Sequence, residues 1–163
     1  MARINAKVET TEGGLSGSNN ADHEITKGMT DGTGNNQGTG AFSAEFEATT
    51  GGVTISLADS VDPLGGQGDD TPTDTDPEGT KLKAVLIENK EDAGGNFVKV
   101  KRGTNGETSI LDGSTDSIRI NAGGFFLWYA PDGVSAMNDG TDDELLFTSS
   151  TANVTVKLTY IYG

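Results

Sequence analysis

Apolar and polar residues alternate along this chain with a period near two, and a helical period is hard to find. No window places apolar residues at i, i+3, i+4 and i+7 between caps, so no helix is expected. The clearest strand is Ala41–Thr49, where Phe42, Ala44, Phe46 and Ala48 alternate with Ser43, Glu45 and Glu47. That pattern puts one face against a core and one in water. Asn153–Tyr162 repeats it, with Val154, Val156, Leu158, Tyr160 and Tyr162 set against Thr155, Lys157, Thr159 and Ile161. Its regularity predicts a final strand paired inside a sheet.

Other stretches read as strands with less contrast. Ile4–Glu9 carries Ile4, Ala6 and Val8 on one face, and His23–Gly28 is a weaker second strand. Val53–Ala58 follows a Gly51-Gly52 pair that predicts a tight hairpin turn. Lys81–Asn89 (KLKAVLIEN) has a continuous apolar centre and is placed mid-sheet. Phe97–Lys101 follows, and Asn105-Gly106 carries a type I′ hairpin signal into a strand over Glu107–Leu111. Ser117–Asn121 comes next, then a Gly123-Gly124 pair read as a break or bulge. Phe125–Ala130 (FFLWYA) is a dense apolar run, Pro131-Asp132-Gly133 a turn, Val134–Asn138 a short piece, and Glu144–Thr148 a strand. Gly13–Asn20 and Thr30–Gly40 read as loops. Eight to ten short strands at this spacing predict an all-β fold, a single antiparallel β-sandwich or barrel over residues 1–163.

One interruption is long. Asp59–Gly79 contains Pro63, Pro72 and Pro77 and seven acids, and is predicted to be an acidic loop at one end of the domain. Charge then changes the picture. The formal net charge is −14, unevenly spread: residues 28–80 hold ten acids and no base, while residues 81–102 hold six bases and three acids. The overall sign argues against nucleic-acid partners, which need a basic surface. Lys81, Lys83, Lys90, Lys99, Lys101 and Arg102 form the one basic island. On adjacent strands they would make a positive strip able to dock an acidic neighbour, including a second copy; outward-facing lysines with no partner are the equal alternative.

Candidate chemistry is sparse. The chain has no cysteine and a single histidine, His23, in a polar stretch that reads as solvated surface. No GxSxG, GxxxxGK[ST] or strand-linked GxGxxG is present, so an enzyme is not expected. No apolar run approaches the roughly 20 residues of a membrane helix, and MARINAKVETTEGG lacks the apolar core of a signal peptide. No cofactor is expected, with Ca²⁺ the one candidate cation. Two acidic clusters could offer it oxygen ligands: Asp69, Asp70, Asp74 and Asp76, and Asp139, Asp142, Asp143 and Glu144. Neither has EF-hand spacing, and a solvated acidic loop is preferred for both. In the aromatic run, Trp128 or Tyr129 is the candidate for a subunit contact, the remainder core.

The texture of the C-terminal half, SIRINAGGFFLWYAPDG followed by an acidic turn and NVTVKLTYIYG, resembles the small virion proteins of tailed phages, such as head decoration and head-fibre proteins. The resemblance covers about residues 80–163. It implies a jelly-roll-like sandwich with long Gly/Asp-rich loops, a non-enzymatic capsid decoration or accessory surface protein made in the host cytoplasm and carried in the virion. Its implied partners are copies of itself and major capsid or other virion proteins, with no nucleic acid and no membrane. A carbohydrate- or calcium-binding β-sandwich module is the alternative.

Overall fold

The structure, a computed structural model, describes residues 3–10, 21–32, 34, 37–59, 79–92, 95–106, 110–111, 113, 115–133, 136–138, 140–141 and 143–163. For residues 3–10, 21–28, 30 and 31 only the backbone is described. Among these residues there is no helix. The strands in chain order are β1 (Arg3–Thr10), β2 (Ala21–Gly28), β3 (Thr30–Asp31), β4 (Gln37–Gly38), β5 (Gly40–Ala48), β6 (Val53–Ser56), β7 (Leu82–Asn89), β8 (Phe97–Arg102), β9 (Ile118–Asn121), β10 (Phe125–Tyr129), β11 (Glu144–Ser149) and β12 (Val154–Tyr162).

Eight of them build two antiparallel four-stranded sheets, in the orders β10-β7-β12-β5 and β6-β11-β8-β9. The inward side chains of both sheets meet in one core. Phe42, Phe46, Val85, Ile87, Val156, Leu158 and Tyr160 come from the first sheet, and Ile55, Val98, Val100, Ile120, Leu145 and Phe147 from the second. The all-β sandwich expected from the alternation is what forms. Numbered 1 to 8 from β5, the sheets read 1-8-3-6 and 2-7-4-5. Antiparallel pairing then gathers the connections at two ends. The four shorter connections, β5–β6, β7–β8, β9–β10 and β11–β12, start and finish at one end, the turn end, and the three longer ones, β6–β7, β8–β9 and β10–β11, start and finish at the other, the loop end.

Three turn assignments change. The Gly51-Gly52 turn does not close a hairpin: β5 pairs with β12 while β6 pairs with β11, so the chain crosses from one sheet to the other there. Gly52 has φ +92°, which an L side chain rarely adopts, and this conformation fits the tight crossing. Gly123-Gly124 is likewise a crossing, between β9 and β10 at the opposite pair of edges, with Gly123 at φ +70°. After Asn105, Gly106 bridges to Glu144 rather than opening a hairpin strand, and Ile110 and Leu111 lie outside any strand. Thr30–Gly40 is not loop throughout, because β3 and β4 pair in parallel. Residues 13–20, 60–78, 107–109 and 134–135 lie outside the described residues.

β12 runs between β5 and β7, and β7 between β10 and β12, as their sequences predicted. The two faces of β7 are covered differently. Val85 and Ile87 enter the main core, while Ala84 joins Met29 and Ile161 in a small cluster on the outer face. A bulge lies at its start: Tyr162 pairs with Leu82 and Ile161 with Ala84, leaving Lys83 as the extra residue. β1 and β2 pair with each other from Arg3↔Gly28 to Thr10↔Ala21, forming a separate two-stranded sheet.

Tyr160 links core to loop end. Its ring packs 5.1 Å from Phe42 and 5.9 Å from Tyr162, and its buried hydroxyl donates to the Leu57 carbonyl at 3.1 Å. Burial above all, then Tyr162, Asp59 and Asp143, push its ionisation well above the ordinary tyrosine value. The unfolded chain ionises Tyr160 near pH 10 while the folded chain keeps it protonated. The stability this contributes is therefore complete below about pH 10 and lost as pH rises above it. Tyr160→Phe is expected to flatten that alkaline decline while costing about 1 kcal/mol at neutral pH through the lost hydrogen bond. Urea titrations at pH 7 and above pH 10 check both, and an unchanged alkaline slope would refute the assignment.

Candidate docking site

Alternation along β8 puts Val98 and Val100 in the core, so Phe97, Lys99 and Lys101 must face outward. β9 does the same with Ile120 inside and Arg119 outside. Register places Lys99 opposite Arg119 on one side and Thr148 on the other, and Lys101 opposite Leu146. Three cations thus share one outer sheet face.

Arg119 is held in place. Its guanidinium carbon lies 3.7 Å from the centre of the Phe97 ring, and its Nε donates to Asn121 Oδ1 at 3.0 Å. Lys99 Nζ is 5.6 Å from the same ring centre. Stacking of this kind is worth about 0.5–1 kcal/mol at an exposed site. Here it also fixes a planar fork of donors facing solvent. The only carboxylate on the outward positions of this sheet, among the described residues, is Glu144, whose Oε2 accepts from the Asn105 amide at 2.9 Å.

The basic island therefore does not form a single strip. Only Lys99 and Lys101 lie together, and Arg119, from the next strand, joins them. Lys81 is exposed at the start of β7 in the other sheet, where it bridges to Ala136. Lys83 is buried, 1% exposed, with Nζ donating to the Gly34 carbonyl at 2.9 Å, so it lies on no docking strip. Burial, then Lys81, lower its basicity, against the pull of Asp132. Lys90 sits in the 90–96 turn. Arg102 ends β8 half-buried, with Nη2 donating to the Gly106 carbonyl at 3.1 Å.

The outer face of the opposite sheet carries the other sign. Cross-strand register sets Phe125, Glu88, Lys157 and Glu45 in one row. Glu47 lies beyond, accepting from the Thr155 hydroxyl at 2.7 Å. An open depression of about 270 Å³ is lined by Glu45, Phe46, Glu47 and Thr155. Nearer the loop end the face turns apolar. Ala41, Leu86, Leu127 and Tyr129 pack around Met29, Ala84 and Ile161.

The aromatic run is an edge strand. Phe126 and Trp128 lean on the core, Leu127 and Tyr129 on the outer cluster, and Phe125 is 46% exposed. The run is core only in part: among the described residues no strand pairs with its far edge, and all five of its residues stay at least partly exposed. Phe125 also flanks a cleft of about 180 Å³ with Glu88, Asn89, Lys90, Asp92, Gly123 and Gly124.

The second acidic cluster is described only in part, since Asp139 and Asp142 lie outside the described residues, as does Asp69–Asp76. Asp143 is not solvated. It is fully buried, its carboxylate accepts from the Ser56 hydroxyl, its carbonyl from the Leu57 amide at 2.9 Å, and its amide donates to Asn105 at 3.1 Å. Asp143 and Glu144 thus hold three loops together. Among the described residues no group of three or more His, Asp or Glu side chains is placed to hold a metal ion. His23 stands opposite Val8 in the β1–β2 pair.

No protein-family model matches this chain, and no curated protein matches it by sequence.

Proposed function

We propose that this chain is a non-enzymatic structural protein of a tailed-phage particle, a jelly-roll sandwich that docks by its outer sheet faces on copies of itself or on other virion proteins. The observation that carries the reading is the strand order 1-8-3-6 over 2-7-4-5, which supports a jelly roll built of two Greek keys. It supports the resemblance noted in the C-terminal half, and the outward Lys99, Lys101 and Arg119 supply a docking surface. Fold alone does not assign a role, so the role is tested on the protein. Size-exclusion chromatography with light scattering on the full chain is expected to give a mass above that of the monomer.

One observation favours a second reading. Phe125, beside carboxylates Glu88 and Asp92 at the cleft, offers the aromatic surface and acceptors that a saccharide uses. A monomer at every concentration that binds immobilised glycans would overturn the structural role in favour of this one.

A further inference from the structure

We propose that the sandwich stacks on copies of itself, with the basic outer face of β8–β9 in one copy seated on the acidic outer face of β5, β12 and β7 in the next. This deepens the structural reading above by naming the occupant of the docking face.

Three observations carry it. The first is charge complementarity within one molecule. Lys99, Lys101 and Arg119 face out from one sheet; Glu45, Glu47 and Glu88 face out from the other, offset among the described residues only by Lys157. The two faces lie on opposite sides of the core, so among the described residues of a single copy neither meets its complement. The second is pre-organisation. Arg119 is already clamped by Phe97 and Asn121, so its remaining donors meet a carboxylate with little further loss of freedom. The third is an aromatic beside each charged set. Phe97 lies under the cations, and Phe125, the one large hydrophobic side chain that is exposed among the described residues, ends the Glu88 row. Interfaces draw their central affinity from such anchors and their orientation from the surrounding charges.

Geometry fixes the kind of assembly. Two different faces meeting head to tail make a heterologous contact, which closes into a ring or runs on as a stack, and does not stop at a two-fold dimer. A nucleic acid is a poor occupant: the chain's net charge is −14, and three cations on one face leave no basic surface of the extent a phosphate backbone needs. A second copy brings the acidic face with it.

The test is light scattering on the full chain, at low salt and at about 1 M salt, where screening shortens the reach of charge to about 3 Å. Wild type is expected to assemble beyond a dimer at low salt and to dissociate at high salt. Lys99→Glu with Lys101→Glu gives a copy acidic on both faces; Glu45→Lys with Glu47→Lys gives one basic on both faces. Each alone is expected to be monomeric, and an equimolar mixture to reassociate at least tenfold more tightly than either. All four positions face outward, and circular dichroism confirms that each variant is folded. If the lysine-reversed copy assembles as wild type does, the stacking is wrong while the structural reading stands on some other interface. A wild-type monomer at every concentration overturns the stacking, and glycan binding by that monomer overturns the structural reading as well.

Discussion

Phe147→Ala is expected to lower stability by about 3–5 kcal/mol, the usual range for deleting a buried ring. Phe147 is fully buried on β11, a strand with neighbours on both sides, opposite Val53 of β6 and Val100 of β8. Its ring meets Phe46 of the other sheet edge-on, 5.0 Å between centres at 80°. This pair joins the two layers across the core, so truncation leaves a cavity that neither sheet can close without shifting. Thr148 follows it in sequence and faces outward, and Thr148→Ala is expected to change stability by no more than about 0.5 kcal/mol. Urea denaturation of both variants, with an unchanged slope for each, makes the measurement. Similar losses at the two positions would mean that β11 is out of register, because a slip of one residue exchanges the faces.

That contrast shows what was legible in the sequence. Strict alternation identified β5 and β12 almost to the residue, because over most of its length each has one wet face and one dry one. The apolar run of β7 located a central strand for the same physical reason, as both its faces are covered. Turn chemistry was less informative. Gly51-Gly52 and Gly123-Gly124 do mark chain reversals, but a glycine pair reports positive φ and says nothing about which sheet the next strand joins. Both proved to be crossings between layers, where the sequence suggested a hairpin and a bulge. The site was legible in sign and not in membership. Residues 81–102 were correctly seen as the basic part of an acidic chain, yet the strip they suggested breaks up. Lys83 falls in a bulge, which no local pattern announces, and Lys81 lies in the other sheet. Arg119 belongs to the face through β8–β9 pairing. Only its place between Ile118 and Ile120 marked it as outward. Asp143 was grouped with solvated acids because neighbours in sequence share a loop, whereas its burial is decided by Ser56 and Asn105, distant in the chain.

Asn89→Asp should be the most damaging single-atom change at the short-turn end. Asn89 ends β7 and is 2% exposed. Its amide nitrogen donates to the carbonyls of Ile120 at 3.1 Å and Asn96 at 3.4 Å, and its amide oxygen accepts from the Glu91 amide at 3.1 Å. Its own backbone meets the crossing turn from both sides, the amide donating to Gly124 and the carbonyl accepting from Gly123. The side chain thus ties the end of β7 to Glu91, Asn96 and β9, and the backbone ties it to the β9–β10 crossing; together they set the edge where Phe125 and Glu88 stand. Aspartate keeps the shape and replaces the donor by an acceptor, so a buried carboxylate would face two carbonyl oxygens. Two lost hydrogen bonds and the desolvated charge together cost about 3 kcal/mol or more. The sign of the pH dependence follows. Without donors, and desolvated, the introduced carboxyl is held above its unfolded value near 3.9. Its protonated form is therefore the one the fold accepts. Stability relative to wild type is recovered below about pH 4 and lost as pH rises through the raised folded value. Asn89→Ala removes the same bonds without the charge and should lose about 2 kcal/mol with no such recovery. Denaturation of both variants at pH 4 and pH 7 separates the two. A constant deficit for Asn89→Asp at both values would show that the introduced carboxyl is solvated, and no deficit in either variant would show that the side chain ties nothing.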